Sequence, residues 1–218
     1  MSGLIKISPS ILSADFSKLG LEIRMLNESK ADWIHVDVMD GHFVPNLTFG
    51  MPIIDSINSI SKKPLDIHLM ISKPERYIHD FLKYNTKVLT VHLEASKHLH
   101  RTIQEIKSHG IMAGVAINPH TDVNHLNEII SDIDVVCLMS VNPGFSGQNF
   151  IHNSINKVKK LKNNILSKES NCKIQVDGGV NAENAKELVK NGADILVAGN
   201  FIFKSENPKK NIISLKEI

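Results

Sequence analysis

Three short apolar stretches of this chain carry polar side chains whose types and spacing could do chemistry together. One reads Trp33-Ile34-His35-Val36-Asp37-Val38-Met39-Asp40-Gly41. Alternation along a β-strand puts His35, Asp37 and Met39 on one face and Ile34, Val36 and Val38 on the other. A second, Asp66-Ile67-His68-Leu69-Met70, puts His68 and Met70 on a shared face. The third ends in Gln175-Val176-Asp177-Gly178-Gly179, with a carboxylate where a strand meets its loop. A single His on a strand is usually a satisfied core residue, and a single Asp is often a cap or turn former. Four such groups at matching strand depths read as one metal site of His35, Asp37, His68 and Asp177. Two imidazoles and two carboxylates suit zinc, iron, manganese or cobalt without choosing among them.

A second group points to an anion. Val141-Asn142-Pro143-Gly144-Phe145-Ser146-Gly147-Gln148 forms a Gly- and Pro-containing loop whose backbone amides can close over a ligand. Gly178-Gly179 and Gly199-Asn200 end the two last apolar stretches, where barrel enzymes often hold phosphate on backbone N–H groups. The pattern predicts a phosphorylated small substrate. Met39, Met70 and Met139 end three of the stretches; each alone is ordinary core filling, but together they would line the site and exclude water. Ser10 reads either as a substrate contact or as part of a Ser-Pro-Ser turn.

Something must bring these residues together. Apolar runs at Leu4–Ser8, Trp33–Met39, Leu65–Ile71, Val88–Leu93, Ile111–Ile117, Val135–Val141, Cys172–Asp177 and Ile195–Ala198 have the length and Val/Ile content of buried parallel strands. Helical spacing separates them, as in Phe16, Leu19, Ile23 and Leu26, in Leu99, Ile103 and Ile106, and in Ile151, Ile155, Val158 and Leu161. Pro74 suits a helix start, and Gly110 and Gly192 suit helix ends. Eight strands alternating with helices, without a linker, predict one (β/α)8 TIM barrel over residues 1–218, with its chemistry at the strand ends. An open doubly wound sheet is the alternative. It usually opens on a Gly-rich turn, but no Gly-x-Gly-x-x-Gly follows the first run, and no nucleotide cofactor is expected.

Composition narrows the partners. With 25 basic and 23 acidic side chains, a net charge of +2 gives no case for nucleic acid. Ordinary hydrophobicity excludes a disordered or low-complexity chain. Cys137 and Cys172 make no disulfide framework. No leader pattern opens the sequence, and nothing approaches the roughly 18 apolar residues of a membrane span. A soluble cytoplasmic protein with no membrane partner is expected.

The residues also carry a resemblance. Ile7-Ser8-Pro9-Ser10-Ile11-Leu12, the twelve residues from His35 to Asn46, His68-Leu69-Met70-Ile71, Val141 to Phe145, Val176-Asp177-Gly178-Gly179 and Val197-Ala198-Gly199 together resemble the ribulose-phosphate 3-epimerases, in the same order and over nearly the whole chain. The resemblance implies a ribulose-phosphate-binding barrel that interconverts D-ribulose 5-phosphate and D-xylulose 5-phosphate through a cis-enediolate, a step of the pentose phosphate pathway. It implies one divalent metal ion per subunit, and a homo-oligomer, either dimer or hexamer. It places His35, Asp37, His68 and Asp177 at the metal ligands, and Asp37 and Asp177 at the acid/base pair. Ser10, His68, Gly144, Phe145, Ser146, Gly147, Asp177, Gly178, Gly179, Gly199 and Asn200 fall at substrate-contacting positions. Ser146 stands where a third loop Gly is usual, and Asn200 where Ser is common.

Three other readings use parts of the same pattern. A hexulose-phosphate (allulose 6-phosphate) 3-epimerase would apply the same chemistry to a longer sugar. A barrel decarboxylase or aldolase would need a cation after Asp37, where Met39 stands. A non-catalytic sugar-phosphate sensor would have little need for two opposed carboxylates.

Overall fold

A computed structural model describes residues 5–218; Met1 to Leu4, the start of the expected first run and of the segment read for a leader, lie outside the described residues. Eight strands run in parallel: β1 (Lys6–Pro9), β2 (Ile34–Met39), β3 (Leu65–Met70), β4 (Thr86–His92), β5 (Met112–Ile117), β6 (Val135–Met139), β7 (Lys173–Asp177) and β8 (Ile195–Ala198). Each pairs with the next in sequence from β2 to β8, and β8 pairs with β1. A parallel bridge between Ser10 and His35 joins the remaining edges of β1 and β2. This is the expected (β/α)8 barrel, and it gathers all the strand ends at one mouth.

Helices α1 (Leu19–Asn27), α2 (Met51–Ile60), α3 (Ile78–Leu82), α4 (Leu99–Ser108), α5 (Asn153–Ser167), α6 (Ala182–Lys190), α7 (Asn200–Phe203) and α8 (Pro208–Lys216) surround it. Ile23 and Leu26 of α1, Ile103 and Ile106 of α4, and Val158 and Leu161 of α5 are buried against outward-facing residues such as Ile34, Val36 and Ile174. Gly110 and Gly192 follow α4 and α6 closely, as expected.

Three details differ from the periodicity. Phe16 belongs to a single 3-10 turn before α1 and is 47% exposed, because Asp15 caps that turn and starts the helix later. Pro74 opens only a 3-10 turn, Pro74–Arg76, with Lys73 before it in the left-handed region; α3 starts four residues later. Between β5 and β6 the only helical turn is the 3-10 segment Val123–Leu126, where α/β alternation would put an α-helix.

Register decides what faces inward. Trp33, Val88, Val135 and Ile195 form an apolar plug at the base of the barrel. Farther along the inward faces come Ser8, Asp66 and Gln175, then His35 and Thr90, then Ser10, His68 and Asp177, all buried. Gly114 stands beside Thr90 in this stack, and a Cβ there would come 2.1 Å from the Thr90 hydroxyl. Only glycine fits. The polar side chains thus sit above a dry base, toward the mouth where the loops begin.

Candidate functional site

The inward faces of β2, β3 and β7 bring together the four residues expected to form a metal site. One ligand atom from each of His35, Asp37, His68 and Asp177 lies within 4.8 Å of every other. His35 Nε2 is 3.2 Å from Asp37 Oδ1 and 3.5 Å from Asp177 Oδ2. His68 Nδ1 repeats both distances, 3.2 and 3.5 Å. Four bonds of ~2.0–2.1 Å to a tetrahedral ion would space neighbouring ligand atoms by about 3.3–3.4 Å, so the N–O edges suit a small divalent cation. A second observation agrees: His35 Nε2 is buried and has no hydrogen-bond partner. Buried polar atoms rarely go unsatisfied, so that lone pair fits a metal.

Groups behind the ligands fix their orientation. His35 Nδ1 donates to Asp66 Oδ2 at 2.8 Å, and the same oxygen accepts from Ser8 Oγ at 2.8 Å and Gln175 Nε2 at 2.5 Å. Ser10 Oγ donates to Asp37 Oδ2 at 2.5 Å, leaving Oδ1 toward the imidazoles. Ser10 also caps the turn that follows β1, as the turn reading expects. The Asp177 carbonyl accepts from the Ser140 amide and hydroxyl, which pins the end of β7.

The charges are interdependent. Burial works against the protonated form of His35, but the Asp37 and Asp66 carboxylates outweigh it and raise its pKa well above that of a free imidazole. His68 is raised in the same way, with Asp177 and Asp37 overcoming its burial. Burial alone would raise both carboxylates, yet the two imidazoles hold Asp37 and Asp177 below the usual carboxylate range. Without a cation, protons on the imidazoles supply the positive charge that the carboxylates require.

A cavity of about 350 Å³ opens over this cluster. Asp37 and Asp177 reach its wall, while His35 and His68 are fully buried behind them. Met39, Met70 and Met139 line it, and Met39 and Met70 pack with Val44 into an apolar patch. Gly144, Phe145, Ser146 and Gly147 form one side, and Gly178, Gly179, Gly199 and Asn200 another. Every residue expected at the site is therefore at this cavity or directly behind it. Asn200 packs against the loop: a Cβ on Gly147 would lie 2.5 Å from its Nδ2. Ser146 and Phe145 are exposed at the loop's tip.

Several residues beyond the expected set support the site. Asp66 lies two residues before His68 on the same face, and His92 lies two after Thr90, so alternation alone would have pointed both inward. His68 Nε2 is 2.9 Å from His92 Nε2, and His92 Nδ1 is 3.2 Å from Glu94 Oε2. Burial lowers the His92 pKa to about 4. Asn46, at the end of the twelve-residue stretch, donates through Nδ2 to the Gly144 carbonyl at 2.7 Å and so joins the β2 and β6 loops. Asp40 holds the first of these loops by accepting from the amides of His42, Phe43 and Ser72.

The sequence profile of the Ribulose-phosphate 3 epimerase family matches residues 6–203. The chain belongs to this family. A ribulose-phosphate 3-epimerase from Bacillus subtilis (strain 168) is 49% identical over 214 residues, covering 98% of this chain and 99% of the relative. One from Escherichia coli (strain K12) is 41% identical over 211 residues, covering 96% and 94%. A chloroplastic ribulose-5-phosphate-3-epimerase from Arabidopsis thaliana is 44% identical over 97% of this chain and 76% of its own length.

Among solved structures, a 3-hexulose-6-phosphate synthase superposes with a TM-score of 0.71 at 16% identity, over 98% of this chain and 99% of the other. An orotidine 5'-monophosphate decarboxylase from Methanocaldococcus jannaschii gives 0.69 at 15%, over 99% and 98%. These likenesses establish the barrel alone. On the inward face of β2, two residues after Asp37, the Met39 thioether is packed against Met70 and Val44.

Proposed function

We propose that this protein is a metal-dependent epimerase that interconverts D-ribulose 5-phosphate and D-xylulose 5-phosphate by moving a proton at C3. The observation that carries the reading is the approach of Asp37 and Asp177, from strands across the barrel, to one pair of imidazole nitrogens beneath one cavity. Family membership selects the pentose phosphate over a hexulose phosphate.

His35, Asp37, His68 and Asp177 would hold a divalent cation. Zinc, iron, manganese and cobalt all accept this donor set. When bound, the cation supplies Lewis acidity that offsets the negative charge of the cis-enediolate. Inversion at C3 needs a base on one face and an acid on the other. Asp37 and Asp177 are suited to these roles: the ionised one takes the C3 proton while the other carries a proton. The C3–H electron pair forms the C2–C3 double bond as the C2 carbonyl π pair moves onto its oxygen. Reversing these shifts draws the second carboxyl's proton onto the opposite face of C3. The two exchange roles with reaction direction. Each positioned acid or base contributes ~10²–10⁴-fold. Ser10 keeps Asp37 oriented, and the methionines keep water from the enediolate. The backbone amides beside Gly178, Gly179 and Gly199, with the Asn200 amide, would take the phosphate, and the Gly144–Gly147 loop would cover the sugar.

The whole chain would act as one catalytic domain in a homo-oligomer, dimer or hexamer; exposed Leu21 on α1 and Ile53 on α2 offer apolar surface for that contact. Among the described residues no helix is long and apolar enough to cross a membrane. A cytoplasmic setting belongs to the proposal, supported by the free, buried thiols of Cys137 and Cys172.

Incubating metal-stripped and metal-restored protein with D-ribulose 5-phosphate in D₂O tests the proposal. Restored protein should form D-xylulose 5-phosphate with deuterium at C3, and stripped protein should not. Asp37→Asn and Asp177→Asn should each nearly abolish turnover; normal rates in either folded variant would remove its assigned role. Faster turnover of allulose 6-phosphate would favour the hexulose reading.

A further inference from the structure

His35 and His68 present different nitrogens to the centre of the site. His35 offers Nε2, and His68 offers Nδ1. A neutral imidazole has one bare nitrogen, and the partner of its N–H determines which one that is. For His35 the partner is direct, because Asp66 accepts from Nδ1. No carboxylate touches the outer nitrogen of His68. Its Nε2 faces His92 Nε2 at 2.9 Å, and a second hydrogen bond leads from His92 Nδ1 to Glu94.

We infer that Glu94 and His92 are positioning residues that force His68 to turn a bare Nδ1 toward the cation. The inference rests on the metal reading given above. Glu94 Oε1 accepts from the Asn118 amide at 2.8 Å and from the Thr121 hydroxyl, so the carboxylate is held with Oε2 toward His92. An ionised carboxylate only accepts, so His92 Nδ1 carries the hydrogen. Neutral His92 then has a bare Nε2, which can only accept from His68 Nε2–H. That leaves His68 Nδ1 bare, 3.2 Å from Asp37 Oδ1 and 3.5 Å from Asp177 Oδ2. The two rings meet end to end, with centroids 5.0 Å apart and planes 21° apart, as an in-plane N–H to N bond requires. His68 and His92 are fully buried, and the Phe43 ring packs against His92 with centroids 4.6 Å apart, so water does not compete for the bond between the two imidazoles.

Glu94→Gln makes the relay testable without changing shape. The Asn118 N–H cannot reverse, so the new amide keeps its oxygen there and turns its NH₂ toward His92. His92 must then accept at Nδ1 and donate from Nε2, and His68 must accept at Nε2 and carry its hydrogen on Nδ1, facing the cation site. Holding a cation in this variant forces one donor against another.

The expected result is a loss of about 10–100-fold in zinc affinity, the range seen when outer partners of metal ligands are changed. Affinity is measured by chelator competition, with thermal unfolding as the check on folding. In the metal-free protein, at a pH where both imidazoles are neutral, the ¹⁵N spectrum should show His68 moving from the Nε2–H to the Nδ1–H form. His92→Gln supplies an amide oxygen that accepts from His68 without help from Glu94. Adding Glu94→Gln to it should therefore cost no further affinity. Native zinc affinity in Glu94→Gln, an unchanged His68 tautomer, or an equal loss in the His92→Gln background would each overturn the relay. If native protein binds none of zinc, iron, manganese and cobalt, the metal reading falls, and the metal-free spectrum still decides the relay.

Discussion

His35 Nδ1 and Asp66 Oδ2 lie 2.8 Å apart in the interior of the barrel, with both residues inaccessible to solvent. Asp66 reaches no solvent and no substrate, yet it fixes the ring that carries an unpartnered Nε2 into the site. Asp66→Asn should weaken zinc binding by about 10–100-fold and leave turnover recoverable at excess metal. Chelator competition and metal titration of the rate check this; unaltered affinity would make Asp66 a packing residue only.

Proton and metal compete for the same nitrogens. His35 and His68 have raised pKa values, so a cation must displace their protons, and metal affinity should climb as pH rises. For stability the signs differ by group. A raised imidazole stabilises the metal-free fold fully below its unfolded pKa of 6.5, and that contribution disappears as pH rises through the folded value. The lowered Asp37 and Asp177 carboxylates stabilise above 3.8, and theirs disappears as pH falls through the folded values. Buried His92, lowered to about 4, adds stability as pH rises from about 4 to 6.5, so metal-free protein should be most stable near pH 6.5, and loading with metal should shift that optimum upward. Thermal unfolding across pH, with and without chelator, measures both.

Gly178 follows the Asp177 carboxylate with φ +115°, and a Cβ there would come 2.4 Å from Val141 Cγ2. Gly178→Ala combines a strained backbone with a clash, each worth about 1–3 kcal/mol. It should lower Tm and reduce kcat by displacing Asp177. Wild-type kcat in this variant would mean that the loop absorbs the change without moving the carboxylate.

Asn46 links the loops after β2 and β6 by one hydrogen bond to the Gly144 carbonyl. Such a bond is worth about 0.5–1.5 kcal/mol, so Asn46→Ala should raise KM by up to about tenfold with little effect on Tm. A fall in kcat with KM unchanged would place Asn46 in the chemistry instead of in loop closure.

Much of this was legible in the one-dimensional pattern, for a definite reason. The period-two alternation of β2 and β3 commits His35, Asp37 and His68 to the faces they occupy, and short Val/Ile runs between helices suffice for a barrel. Glycines after β7 and β8 marked the end of the barrel where the cavity opens, because those turns have no room for a Cβ. The helix starts at Phe16 and Pro74 were misplaced because local caps competed with periodicity.

Composition and alternation by themselves set the donor types, the strand faces and the end of the barrel where they gather. They could not set which nitrogen of each histidine points inward, or which remote side chains hold it there. Ser8, Asp66 and Gln175 meet from three strands across as many as 109 residues of chain, and Glu94 acts on His68 only through His92. Those contacts exist only once sheet closure and stagger have fixed the distances between strands, because hydrogen bonds depend on ångström-scale geometry that no spacing along a chain encodes.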